Sequence, residues 1–234
     1  MHLFGSVIWV VSFLLEVYVV LKCTLTRSSA KYLSIGFFAG AVALRDPLQF
    51  FVLSRYGVGS HQYLVFYFYT DALLTVLMYL TIMHLFQQVF ERTHIGAYVR
   101  RAAVILLGLT ALFSYFVVRG SAGYWSSRFV WEFSQDLYFV GLVLTYLLWA
   151  AVFRLRETRA RLVQLVLAVG IYFSGMAALY AVPNMFPAAK LVCGDLYPVL
   201  SMLLLASWAY TFTWVPEGAR LAPAHLVREA TAER

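Results

Sequence analysis

Six of the eleven acidic residues lie inside or at the edge of apolar stretches: Glu16, Asp46, Asp71, Glu132, Asp136 and Asp195. Arg45 lies among them, directly before Asp46 and Pro47. A charge at bilayer depth costs at least ~2.5–3.5 kcal/mol on insertion scales, so each such group is expected to have a partner or a wet cavity beside it. The chemistry open to this set is ligand binding, proton transfer or ion pairing. A buried ion-pair network that only sets helix register is the plainer alternative.

Spacing sorts these residues. Arg45 and Asp46 are consecutive, so on a helix they point about 100° apart and each is expected to meet a different neighbouring helix. Asp71 lies about eight residues into its stretch, roughly 12 Å of rise, close to the depth of Asp46. Tyr67, Phe68, Thr75 and Met78 recur around it at helical spacing. Glu132 and Asp136 stand at i,i+4, where like charges repel. Arg128 can neutralise Glu132 at the surface, and the deeper Asp136 is the expected partner of Arg45. Glu16 belongs to the inner half, either accepting structural hydrogen bonds or acting as a buried acid. Arg45, Asp46, Asp71, Glu132 and Asp136 therefore form the candidate polar centre, in the outer half of the membrane.

Other chemistries lack their residues. A retinal Schiff base needs a lysine midway through a span, and Lys22, Lys31 and Lys190 all sit at ends. A bis-histidine haem needs two histidines at one depth, and His84 has no such counterpart; it reads as a hydrogen-bonded structural residue. The five histidines are scattered over both faces, with no His-Glu-x-x-His, no phosphate loop and no serine elbow. Cys23 and Cys193 fall on opposite faces and read as small apolar packing residues. No metal and no cofactor are expected.

The elements that must position these residues follow from composition. Of 234 residues, 62% are apolar and only 12% charged, half the charged share of a soluble domain. Mean hydropathy is +0.78. The net charge of +7 does not point to nucleic acid, because the basic residues sit between apolar runs and form no solvated patch. Seven stretches approach 20 residues: about 3–22, 34–54, 63–86, 101–118, 130–153, 161–182 and 195–215. The fold class expected is all-α, a seven-helix transmembrane bundle over 1–215 with a short cytoplasmic tail, 216–234, read as an interfacial helix or a disordered end. The first span lacks the pattern of a cleaved leader and is expected to be retained.

Orientation follows from Lys and Arg. Lys22, Arg27, Lys31, Arg92, Arg100, Arg101, Arg154, Arg156, Arg159, Arg161, Arg220, Arg228 and Arg234 fall on one side; Arg55, Arg119, Arg128 and Lys190 fall on the other. The N-terminus is therefore expected outside and the C-terminus in the cytoplasm. Trp125 and Trp131 are read as the outer interfacial belt, Trp149 and Trp214 as the inner one. Pro47 is expected to kink the second span beside its charges, and Pro198 to stand in the first turn of the seventh. Gly36-x-x-x-Gly40 permits close helix approach, inside the bundle or in a homodimer; Gly170 and Gly175 read as close-packing sites.

By layout the chain resembles the seven-helix modules at the head of bacterial sensor proteins, with no kinase or cyclase behind it. Tyr69 to Ala72 with Phe86 and Phe90, and Trp208 to Tyr210, resemble a loose group of uncharacterised bacterial seven-helix proteins. That resemblance implies a bacterial inner (plasma) membrane and carries no residue role with it. Three functions remain open. The first is a non-enzymatic receptor-like, sensory or accessory subunit that binds a small molecule or partner helices. The second is a proton-coupled transporter using Arg45, Asp46, Asp71 and Asp136. The third is an intramembrane lipid-modifying enzyme with an Asp pair.

Overall fold

In lipid an apolar run can satisfy its backbone amides only by forming a helix or joining a closed barrel, and none of the long runs here alternates with the period of a strand. The computed structural model describes residues 3–25, 29–57, 59–91, 96–119 and 125–221. Among them are seven α-helices: α1 (Leu3–Leu25), α2 (Leu33–Tyr56), α3 (His61–Val89), α4 (Gly96–Arg119), α5 (Trp125–Arg154), α6 (Ala160–Met185) and α7 (Lys190–Trp214). Five contain segments long and apolar enough to cross a membrane: Leu33–Tyr56, His61–Val89, Phe129–Arg154, Ala160–Pro183 and Val192–Trp214. The apolar part of α4 is shorter, Val104–Arg119, and the side chains of α1 before Trp9 lie outside the described residues. Five of the seven expected crossings are thus matched in length and hydropathy.

The helices form a closed ring in the order α1–α2–α3–α5–α6–α7, with α7 returning to α1. Helix α4 stands outside it, packed chiefly on α5. Its buried stripe is Thr110, Ser114 and Val118, while Ile105, Leu109, Leu112, Phe113 and Phe116 face outward. Small residues inward and large apolar ones outward suit helix packing in lipid. The other helices share this outward apolar surface, with Leu14, Phe37, Leu44, Leu147, Ile171 and Leu203 all largely exposed.

Glycines set the close approaches. A Cβ on Gly141 would fall 2.0 Å from the Phe173 ring, one on Gly170 2.3 Å from Trp149, and one on Gly175 2.5 Å from Leu200. Gly36 faces Cys23 at 3.3 Å and Gly40 faces Val20 at 3.9 Å. The small-residue stripe of α2 is therefore occupied by α1, inside the bundle, rather than being a bare face for a second copy.

The turns are short. Gly57, at φ +80°, closes α2 where a side chain would be strained. Ser60 then caps α3, its hydroxyl accepting from Tyr63 N at 3.1 Å. At the other end of the bundle, the start of the tail folds back onto the α5–α6 turn. Leu221 N donates to Thr158 O at 2.8 Å, and Ala160 N to Ala219 O at 3.0 Å. The tail beyond Leu221 and the loop 120–124 lie outside the described residues.

Three expectations about elements change. Helix α7 begins at Lys190, so Pro198 is interior and not in the first turn. Helix α6 runs through Pro183, where hydropathy ended the sixth span. Trp149 packs inward rather than lying on the bundle surface: it donates Nε1–H to Val166 O at 3.2 Å and packs over Gly170. Trp131 likewise turns inward, edge-on to Tyr180 at 6.2 Å, whereas Trp214 is 73% exposed. The side chain of Trp125 is outside the described residues.

Candidate functional site

The antiparallel register of α1 and α2 builds the first half of the site. With Gly36 opposite Cys23 and Gly40 opposite Val20, Glu16 comes level with Arg45 and Asp46. Glu16 is 1% exposed, with Oε2 buried and unpartnered, and the charges of Arg45 and Asp46 both act on it. It therefore belongs to the polar centre and not to a separate inner site.

Arg45 Nη1 stands 3.9 Å from Asp46 Oδ1. Adjacent residues do meet, because the long arginine stem bends back over the turn, yet 3.9 Å is beyond hydrogen-bond range. The guanidinium also lies 6.0 Å from the centre of the Tyr67 ring, and its Nε is buried without a partner. The same guanidinium acts electrostatically on Asp71 of α3. Arg45 thus joins α1, α2 and α3.

Asp71 is the second half. Its Oδ2 accepts from the Tyr180 hydroxyl of α6 at a long 3.4 Å. Ser134 of α5, 1% exposed, sits beside the carboxylate with its Oγ in no hydrogen bond of normal geometry. Five tyrosines lie within electrostatic reach of Asp71: Tyr67, Tyr138, Tyr172, Tyr180 and Tyr197. They come from α3, α5, α6 and α7, so four helices of the ring converge here. Tyr180 is the hub, its ring 5.3 Å from Tyr138 and 5.6 Å from Tyr197. The Tyr197 hydroxyl is buried beside that of Tyr180, in no hydrogen bond of normal geometry.

Asp136 does not belong to this centre. Its Oδ2 accepts from Ser114 Oγ of α4 at 2.7 Å, because that face of α5 meets the outlying helix. The expected Arg45–Asp136 pair is replaced by Arg45 with Asp46, Asp71 and Glu16. Glu132, on the same face of α5, is half-buried; the side chain of Arg128 lies outside the described residues, as does that of Asp195. Of the five candidate residues the structure brings together Arg45, Asp46 and Asp71, and adds Glu16, Ser134 and the tyrosines.

Apart from Tyr67, the tyrosines were hidden in apolar runs, where an aromatic reads as ordinary core. One signal was present. Asp46, Tyr180 and Tyr197 each lie within three residues of an interior helix proline, Pro47, Pro183 and Pro198. Each proline leaves the carbonyl four residues earlier without its intrahelical donor, and interrupted helices recur at binding sites within membranes.

At the other end of α3 the polar groups are structural. His84 Nε2 and Gln88 Nε2 both meet the Lys31 carbonyl. Arg161 is buried, stacked 5.7 Å from the ring centres of both Tyr32 and Phe212, and donates to Val215 O through Nε and Nη2. Arg159 pairs with Glu157 at 2.9 Å and Glu91 at 3.3 Å. That hydrogen-bonded pairing holds the Glu157 carboxyl below the usual glutamate value. Two shallow grooves of about 220 and 210 Å³ flank Leu80 and His84, between α3 and its neighbours α4 and α2; their walls are mostly apolar. Cys23 and Cys193 are both buried free thiols.

No family model, curated protein or solved structure matches this chain.

Proposed function

We propose that this is a receptor-like or accessory membrane protein that crosses the bilayer seven times, N-terminus outside and C-terminus in the cytoplasm, and binds a small molecule at the Arg45–Asp71 centre. One observation carries the reading: of the eight buried side-chain polar atoms without a hydrogen bond among the described residues, four lie there. They are Glu16 Oε2, Arg45 Nε, Ser134 Oγ and Tyr197 Oη, the last two beside Asp71 and the Tyr180 hydroxyl but in no hydrogen bond of normal geometry. An unpaired buried polar group costs about 1–3 kcal/mol, so several in one place are retained where a ligand or ordered water completes them. The described residues are nearly all helix and short turn, and a receptor of this kind acts through a partner protein.

The test is to purify the full-length protein in mild detergent and identify what comes with it by mass spectrometry. The expected result is a stoichiometric small molecule in the wild type that is lost in Asp71→Asn and kept in Asp136→Asn. A protein that carries no small molecule and no partner in either form would overturn the proposal.

A second reading, a proton-coupled carrier, is favoured by charge. Three carboxylates, Glu16, Asp46 and Asp71, surround one guanidinium, and protons are one way to balance them. That reading predicts uptake driven by a pH gradient in proteoliposomes, abolished by Asp71→Asn.

A further inference from the structure

The same centre carries information about what it would hold. Three carboxyl groups, Glu16, Asp46 and Asp71, share one guanidinium, which balances the charge of only one of them; the others need a proton or a second cation beside them. Ser134, 1% exposed and unpartnered, sits beside Asp71, and Glu16, equally buried, keeps Oε2 free beside Asp46. The remaining lining is aromatic. Tyr180 is flanked by the rings of Trp131, Tyr138 and Tyr197 at 6.2, 5.3 and 5.6 Å, and Tyr67 already has the Arg45 cation 6.0 Å from its ring centre. Ring faces attract cations, most strongly where water is excluded. Among the described residues no three His, Cys, Asp or Glu side chains converge as metal ligands. A carboxylate among aromatic rings, without a converging ligand set, is chemistry for a larger and softer cation.

We infer that the centre binds a small organic cation, its ammonium group set against Asp71 and faced by the rings of Tyr67, Tyr138, Tyr180 and Tyr197. The inference rests on reading this centre as a binding site and names the ligand class. Asp71 supplies the counter-charge and the rings supply the walls. The weak Tyr180–Asp71 hydrogen bond of 3.4 Å is the contact an ammonium displaces.

The experiment follows thermal unfolding of the purified full-length protein in mild detergent. The probes are methylammonium, tetramethylammonium and (2-hydroxyethyl)trimethylammonium, each as the chloride. Controls are sodium chloride at equal ionic strength, the neutral isostere 3,3-dimethylbutan-1-ol, and sodium propionate as an organic anion. The expected result is a saturable rise in Tm with an ammonium probe and none with the isostere. Half-saturation should move at least about tenfold in Asp71→Asn, as loss of a desolvated charge contact implies, and should be unchanged in Asp136→Asn. If Asp71→Asn does not fold, the comparison of ammonium with isostere on the wild type still decides. Equal stabilisation by the isostere would overturn the cation and leave an apolar cavity. Stabilisation by propionate alone would overturn the cation while the binding-site reading stands through Arg45. A Tm that responds to pH and to none of the compounds would overturn the cation in favour of protons as the compensating charge.

Discussion

Arg45 is the residue on which the interior depends most. It is the guanidinium beside Glu16, Asp46 and Asp71, and removing one partner of a buried charged set leaves the others uncompensated. Arg45→Ala is therefore expected to destabilise the protein by about 1–3 kcal/mol, read as a loss of thermal stability in detergent. Removing the opposite charge as well should return part of that loss. Asp71→Asn is expected to rescue Arg45→Ala, whereas Asp136→Asn, whose carboxylate is bound by Ser114 on α4, should simply add its own effect. A double-mutant cycle measures the difference; coupling through Asp136 with none through Asp71 would refute this map.

At the scale of elements, the ring closes because glycines let large side chains reach the neighbouring backbone. Gly141→Val places branched carbons where the Phe173 ring lies, 2.0 Å from a Cβ, and is expected to cost about 3 kcal/mol, at the upper end for overpacking. Gly36→Ala meets Cys23 at a milder 3.3 Å, and the helix-propensity gain of up to about 1 kcal/mol offsets the crowding. Its stability should be near wild type and its oligomeric state, by light scattering, unchanged. The α5–α6 turn makes a different prediction. The hydrogen bonds from Arg159 hold Glu157 below the ordinary value of 4.5, so folding favours the ionised carboxylate. That contribution is fully present above pH 4.5 and is lost as the pH falls through the lower folded-state value. Arg159→Gln should flatten the acid side of the stability–pH curve and leave the neutral side lower throughout.

For the whole molecule, the pattern of basic residues implies an inner face where α1 ends, α3 ends, α5 meets α6 and α7 ends. The structure gathers Lys31, Arg159, Arg161 and Arg220 at that end of the bundle and ties them to Glu217, Glu157, Val215 O and Thr158. Some of the charges on which the orientation reading rests thus also fasten the turns. A fluorescent protein fused to the C-terminus should fluoresce in cells, and alkaline phosphatase fused at the same point should be inactive. The reverse pair of results would invert the orientation.

Hydropathy alone was enough for an all-helical membrane protein, because in lipid a long apolar run has no other way to satisfy its backbone. It also picked out Arg45, Asp46 and Asp71, because a charge in such a run is costly wherever it points. What it could not decide was direction. Asp71 and Asp136 are alike in sequence, yet one faces the tyrosines at the centre and the other a serine on the outlying helix α4. That choice is made by the order of helices around the ring, which places α4 outside and lets α3 meet α5. The glycine stripe of α2 was visible; that α1 occupies it was not. Likewise Tyr138, Tyr172, Tyr180 and Tyr197 belong to the site only because three helices distant in sequence bring them to one carboxylate. Periodicity records how often a face recurs. Only packing decides what that face meets.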